Sequence, residues 1–252
     1  MSKLQFLTTK SGRKVAYHQT AGQAPGVVFL RGFRSDMTGT KAVFLEGRAR
    51  AEGRAFLRFD YSGHGASDGV FEQGCITDWA ADACDVLEAL TTGPQILVGS
   101  SMGGWIALLL ARMLPYRIAG LVGVAAAPDF TEDGYWAEFD EKQQKQLLDV
   151  GYIALKSEYS DNDTIITRKL IEDGRENLVL RTLLHLPFPT RFLQGTADVD
   201  VPASVAITLL NHAQSADMQL RLVKDADHRF STPDCLAMIA AAVAEITQRV
   251  PV

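Results

Sequence analysis

No stretch of this 252-residue sequence approaches the roughly 20 consecutive apolar residues that a bilayer-spanning helix requires. The longest candidate, Leu121 to Ala127, has only the length of a buried strand. Cysteine is scarce as well: Cys75, Cys84 and Cys235 form an odd set without metal-ligand spacing. That excludes a disulfide framework and suggests reduced, buried thiols. No histidine, cysteine and acid cluster has the spacing of a metal site, so neither metal nor other cofactor is expected. Basic blocks are missing too. Lys and Arg number 25 against 30 for Asp and Glu, a formal net charge of -5, which argues against a nucleic-acid partner. The opening residues Met1 to Phe6 have neither the apolar core of a signal peptide nor the arginines of a transit peptide. A cytoplasmic location is the expectation. Neither internal repeats nor low-complexity tracts interrupt the chain.

What is present is ample core material, with 47% hydrophobic residues, arranged in an alternating rhythm. Leu4 to Thr8 and Lys14 to His18 read as a hairpin around Gly12. Short apolar runs follow at Val27 to Leu30, Ala55 to Phe59, Ile96 to Val98, Gly120 to Ala125, Thr190 to Leu193 and Gln219 to Val223. Helical patterns lie between them, at Thr40 to Glu52, Ile76 to Leu90 and from Ile106 to Leu114, with a last one at Pro233 to Gln248. Alternation of this kind predicts an α/β fold, a mostly parallel, doubly wound sheet with helices on both faces. The rhythm changes over 128–186. This stretch reads as a small helical cap insertion within a single domain, with helices at Asp140 to Leu148, Thr164 to Asp173 and Arg175 to Leu184 and no strand.

The run Ile96 to Val98 ends in Gly99-Ser100-Ser101-Met102-Gly103-Gly104, which opens the next helix. A G-x-S-x-G string between a strand and a helix is the context of a nucleophile turn, with Ser101 at its centre and Ser100 supporting the turn. A serine nucleophile needs a base and an acid that orients the base. His228 follows the last strand and is the leading base. His64, in the glycine-rich loop Asp60 to Gly65, is the competitor on the same sheet edge, whereas His18, His185 and His212 read as surface or packing residues. Asp198 is the leading acid, in the turn after Thr190 to Leu193, with Asp200 close enough to be confused with it or to cap the next helix. The developing oxyanion needs two backbone donors, and these fall on Met102 and Phe33. Arg31 and Arg34 flank that loop as candidates for attracting an anionic substrate. Phe130, Tyr135, Trp136 and Phe139 either line an acyl pocket or pack the insertion onto the sheet; Arg34, Trp136 and Phe139 are carried forward as substrate contacts. The loop Asp60 to Gly69 lacks the ending of a phosphate loop and reads as a structural turn.

These residues resemble the α/β-hydrolase superfamily over nearly the whole chain. The strings Gly39-Thr40-Lys41-Ala42, Arg58 to Gly63, Gly93 to Ser101, Gly103-Gly104-Trp105 and Asp227-His228-Arg229 resemble, more narrowly, its mitochondrial acyl-protein thioesterase (depalmitoylase) and acyl-glucuronide esterase type. A bacterial relative of that type fits the sequence. The resemblance implies Ser101, Asp198 and His228 as a triad, with Phe33 and Met102 as oxyanion donors. The chain departs from the superfamily pattern at Arg31, where a histidine commonly precedes the glycine. The expected activity is hydrolysis of carboxylic esters or thioesters, free or carried on an acylated protein. The same fold also carries lyases, cofactor-free oxygenases and non-catalytic binding proteins, and the full triad set favours the hydrolase.

Overall fold

Strand β3 (Gln23–Leu30) shows why the sheet is covered on both sides. Val27 and Phe29 face one way, Val28 and Leu30 the other, and all four are buried. The computed structural model describes residues 3–156 and 163–250. Eight strands form the main sheet, in the order β1 (Gln5–Thr8), β2 (Lys14–Thr20), β4 (Arg54–Phe59), β3, β5 (Gln95–Ser100), β6 (Ile118–Val124), β9 (Thr190–Gly195) and β10 (Met218–Val223). The first two pairings are antiparallel and the rest parallel, which bears out the expected α/β architecture. Helices α1 (Thr40–Ala51) and α7 (Pro233–Arg249) pack on the Val27 face. Helices α2 (Ile76–Leu90) and α3 (Met102–Met113) cover the Val28 face, and α6 (Ala203–His212) adds Leu209 to that core. Among the described residues, no helix is long and apolar enough to cross a membrane.

Register decides where the functional loops meet. Leu30 pairs with Gly99, Ser100 with Val124, Val124 with Leu193, and Gly195 with Val223. The carboxyl ends of β3, β5, β9 and β10 are therefore level. In a parallel sheet the loops leaving those ends share one edge.

Between β6 and β9 the structure corrects the sequence reading. Thr131–Trp136 forms a wide helical turn of π type, followed by α4 (Glu141–Val150), which Asp140 and Gln143 cap reciprocally. Gly151, at φ 93°, then ends α4 in the left-handed conformation. Where only helices were expected, β7 (Tyr152–Leu155) and β8 (Thr164–Thr167) form an antiparallel hairpin. The segment Thr164-Ile165-Ile166-Thr167 is β-branched throughout and favours the strand. Helix α5 (Arg168–Glu176) starts only after it, with the Thr167 hydroxyl accepting the Leu170 N–H. The helix expected at Arg175 to Leu184 does not form, and α5 ends at Glu176. Beyond that point Val179 and Leu180 donate their N–H groups to the fully buried Asp129 carboxylate (2.8 and 2.9 Å), so those donors are not available to a helix. Residues 157–162 of this stretch lie outside the described residues.

Candidate active site

The chain turns from β5 into α3 on a single strained residue. Ser101 sits at φ 54°, ψ -122°, a conformation that L-residues rarely adopt and that costs about 1–3 kcal/mol. Its neighbours must be small. A Cβ on Gly99 would lie 2.4 Å from the Gly103 carbonyl oxygen, and one on Gly103 would lie 2.1 Å from that of Leu30. The turn holds the Ser101 hydroxyl 3.1 Å from His228 Nε2. On the other side of the ring, His228 Nδ1 lies 2.9 and 3.1 Å from the two oxygens of Asp198. An ionised carboxylate only accepts, so Nδ1 carries the proton and Nε2 is left to accept from Ser101. The three residues thus come from the loops after β5, β9 and β10.

Asp198 rather than Asp200 meets the imidazole, and the local hydrogen bonds explain the choice. Its side chain is fully buried, and its oxygens also accept the N–H groups of Asp200 (3.0 Å) and Val201 (2.8 Å) and the Gln194 amide (2.8 Å). Burial pushes the carboxyl upward. Against it, the hydrogen bond and charge of His228, the Val201 N–H and the Gln194 amide hold the pKa below the usual carboxylate range. Asp200 does not cap α6, whose N-cap is Pro202. Gln194 escaped the sequence reading. Its signal was a polar side chain within the apolar strand Phe192-Leu193-Gln194, where burial demands a partner.

The competing histidine is packed away. His64 is 4% exposed, its ring against Tyr61, Phe71 and Trp79 at 4.9–5.8 Å. Burial, with the Arg31 charge adding to it, pushes its pKa down to about 3 and keeps it neutral. Its loop is the structural turn expected: Asp60 takes the Met37 and Ala66 N–H groups (2.7 and 2.8 Å), so those amides are not available to a phosphate. Arg31 is buried beside the same carboxylate, Nε to Oδ1 3.2 Å, and also borders the cleft at Ser101. Of the other histidines, His185 is exposed, His18 is half-buried in β2, and His212 Nε2 faces the Val179 and Thr182 carbonyls.

The two expected oxyanion donors, Met102 and Phe33, lie on backbone that adjoins Ser101. Met102 is the first residue of α3, so its N–H has no carbonyl partner within the helix, and the positive end of the helix dipole adds to it. Phe33 follows Gly32, and a Cβ built on Gly32 would lie 3.2 Å from Ser101 Cβ. Asp198, Asp200 and His228 also bring three potential metal-ligand atoms within 4.8 Å of one another, a grouping the sequence spacing does not reveal. Two of the three are engaged with each other in the His228–Asp198 hydrogen bond.

The alpha/beta hydrolase family matches residues 27–245 of this chain. The chain belongs to that family. The bovine mitochondrial palmitoyl-protein thioesterase ABHD10 is 31% identical over 252 residues, covering 98% of this chain and 81% of its own length. Mouse alpha/beta hydrolase domain-containing protein 10 superposes with a TM-score of 0.92 at 30% identity, covering 98% of this chain and 99% of that one. A protein from Agrobacterium vitis S4 superposes at 0.93 with 39% identity, covering 97% of this chain and 98% of that one.

In this alpha/beta hydrolase the loops enclose a cleft of about 810 Å³ that reaches Ser101 and His228. Phe33, Phe130, Tyr135, Leu155, Val199 and Val201 give it apolar surface, with charged Arg34, Asp36, Glu138 and Lys156 also in the lining. Phe33 and Phe130 are in edge contact, 5.5 Å between centroids. Two expected substrate contacts are corrected. Trp136 lies under the Arg175 guanidinium (4.6 Å), and Phe139 is buried behind Tyr135, stacked on it at 6.2 Å; neither lines the cleft. From this segment Phe130, Gly134, Tyr135 and Glu138 line the cleft. Arg34 does line the cleft. It is exposed, and its Nη1 donates to the Asp163 carbonyl (3.0 Å) and the Thr164 hydroxyl (2.6 Å), tying the loop after β3 to the β7–β8 hairpin.

The close approach at Gly103 makes one outcome readable by thermal unfolding. The carbonyls of Leu30 and Arg31 lead directly into the Phe33 loop, and a methyl group at 103 would lie 2.1 and 2.7 Å from them. Gly103→Ala should cost about 1–3 kcal/mol, as overpacking does, lowering Tm by about 2–4 °C per kcal/mol. A variant that unfolds with wild type would mean that the turn and the β3 loop are not in contact.

Proposed function

We propose that the protein is a cofactor-free serine hydrolase acting on esters or thioesters with an apolar acyl chain. The observation that carries this reading is the continuous line Ser101 Oγ, His228 imidazole and Asp198 carboxylate, at 3.1 and 2.9 Å, opening into a cleft with an apolar stretch of wall. Ser101 Oγ attacks the acyl carbonyl while His228 Nε2 takes its proton, and the N–H groups of Met102 and Phe33 receive the oxyanion. Asp198 stabilises the imidazolium. The His228 proton then passes to the departing alkoxide or thiolate, leaving the acyl group on Ser101. Water, deprotonated by His228, releases the acid and restores the hydroxyl. The name of the ABHD10 relatives, palmitoyl-protein thioesterase, favours the thioester and a long chain.

The test is a rate profile over p-nitrophenyl esters from acetate to palmitate, with palmitoyl thioester beside it, together with fluorophosphonate labelling read by intact mass. Each buried methylene contributes about 0.8 kcal/mol, close to fourfold. Even with partial burial, kcat/KM should rise by about 10²-fold between acetate and octanoate, and Ser101 should carry the single adduct. A flat profile overturns the acyl-cleft assignment. An unlabelled protein overturns the serine mechanism.

A further inference from the structure

Two of the strings that carry the family resemblance have no role in the chemistry described so far: Gly39-Thr40-Lys41-Ala42 and the residues flanking His228. They meet across the cleft. Lys41 is the second residue of α1, and its Nζ donates to the backbone carbonyl of Arg229, 188 residues away in sequence. Lys41 also lines the cleft, half-buried.

The placement is costly twice over. A cation in the first turn of a helix opposes the macrodipole, and α1 has no acid in its first turn and no side-chain cap to compensate. Removing an ammonium from water adds a desolvation cost. The loop it reaches is one that needs support. Asp225 (φ 60°) and Phe230 (φ 48°) both adopt the left-handed region on either side of His228. From the β9 side the loop is tied by Thr196, whose hydroxyl accepts the Asp225 N–H (2.9 Å), and by the Ala197 N–H, which donates to the Ala226 carbonyl (3.1 Å). Lys41 supplies a tie from the α1 side, at the residue after the histidine.

We infer that Lys41 is a positioning residue for the hydrolytic reaction, its ammonium fixing the His228 imidazole over Ser101 through the Arg229 carbonyl. The inference rests on the serine hydrolase reading above. The charged and titratable groups whose fields act on the ammonium are Asp227, Cys235, Arg229 and Asp198. Burial above all, with the Arg229 charge adding, pushes the Lys41 pKa down to about 8 against the opposing pull of Asp227, Cys235 and Asp198. The tie is thus charge-assisted below that pH and weakened above it.

The experiment compares wild type, Lys41→Met and Lys41→Arg for p-nitrophenyl octanoate hydrolysis from pH 6 to 10, with fluorophosphonate labelling rates alongside. A displacement of about 1 Å at a reacting group costs up to about 10²-fold. K41M should therefore lose about 10- to 100-fold in kcat with KM within about twofold, and label more slowly by the same factor. K41R keeps donors and charge at every pH in the range; it should recover most of the rate and lose the activity decline that wild type shows as pH rises through about 8. Thermal unfolding verifies that each variant is folded, and K41Q takes the place of K41M should the latter fail to fold. Wild-type kcat in the uncharged variant, a defect confined to KM, or a basic limb unchanged in K41R overturns the assignment. Each of those results leaves Ser101 labelling intact, whereas failure of the hydrolase reading removes labelling and turnover from wild type itself.

Discussion

Ser101→Ala is expected to lower kcat for p-nitrophenyl octanoate by on the order of 10⁴- to 10⁶-fold, the range that loss of a triad nucleophile produces. Nothing else at the turn offers a hydroxyl to the same base. Ser100, the adjacent serine, is the last residue of β5, buried and paired with Val124. The proposed oxyanion donors, Met102 and Phe33, survive the substitution because they are main-chain groups, so a small rate above that in water should persist. Stability should barely change, since alanine meets the strained φ of 54° on the same terms as serine. Unchanged thermal unfolding beside abolished turnover would separate loss of chemistry from loss of fold. Retention of more than about 1% of wild-type kcat would remove Ser101 from the mechanism.

Asp198→Asn should cost on the order of 10⁴-fold in kcat, and the reason lies in the donors around the carboxylate. One oxygen accepts from the backbone N–H groups of Asp200 and Val201, the other from the Gln194 amide, and His228 Nδ1 lies within reach of both. An asparagine NH₂ puts a donor where one of these two acceptors stood, in either orientation. Turned toward His228, it forces Nδ1 to accept, which moves the imidazole proton to Nε2 and leaves no base for Ser101. Turned away, it meets two backbone donors and a buried mismatch of about 1–3 kcal/mol follows. The variant should therefore lose Tm as well as activity, unlike Ser101→Ala. The pH dependence of stability has a definite sign. Folding lowers the Asp198 pKa, so its contribution is present above the ordinary carboxylate range and fades as pH falls through the folded value. Acid unfolding of the asparagine variant should be shallower. A variant with near wild-type kcat would show that the carboxylate does not orient the base.

The residues that meet at Ser101 were legible because their signals are local: a glycine-flanked serine after an apolar run, and an aspartate and a histidine each just past a strand. The choice between His228 and His64 was not local. Both follow strands on the same edge, and only the aromatic enclosure of His64 by Phe71 and Trp79 separates them. The hairpin at Tyr152–Leu155 and Thr164–Thr167 was obscured because the second strand runs into α5 with no glycine or proline between them. Thr167 is at once the last residue of the strand and the cap of the helix. Trp136 and Phe139 were misread for another reason. Aromatic composition says that a segment has a buried side, but the helical phase decides which of its rings faces the cleft.

The sheet order also governs when the chemistry becomes available. The Ser101 turn and the Phe33 loop lie on central strands, whereas His228 follows β10, an edge strand that pairs with β9. The serine is separated from its base by 127 residues. At about 5–20 residues per second, synthesis on the ribosome reaches the histidine on the order of ten seconds after the serine. Throughout that interval the hydroxyl is an ordinary alcohol, inert toward acyl groups nearby. Under the proposed mechanism, hydrolytic activity during refolding should report the docking of β10, whose following loop brings His228 to Ser101.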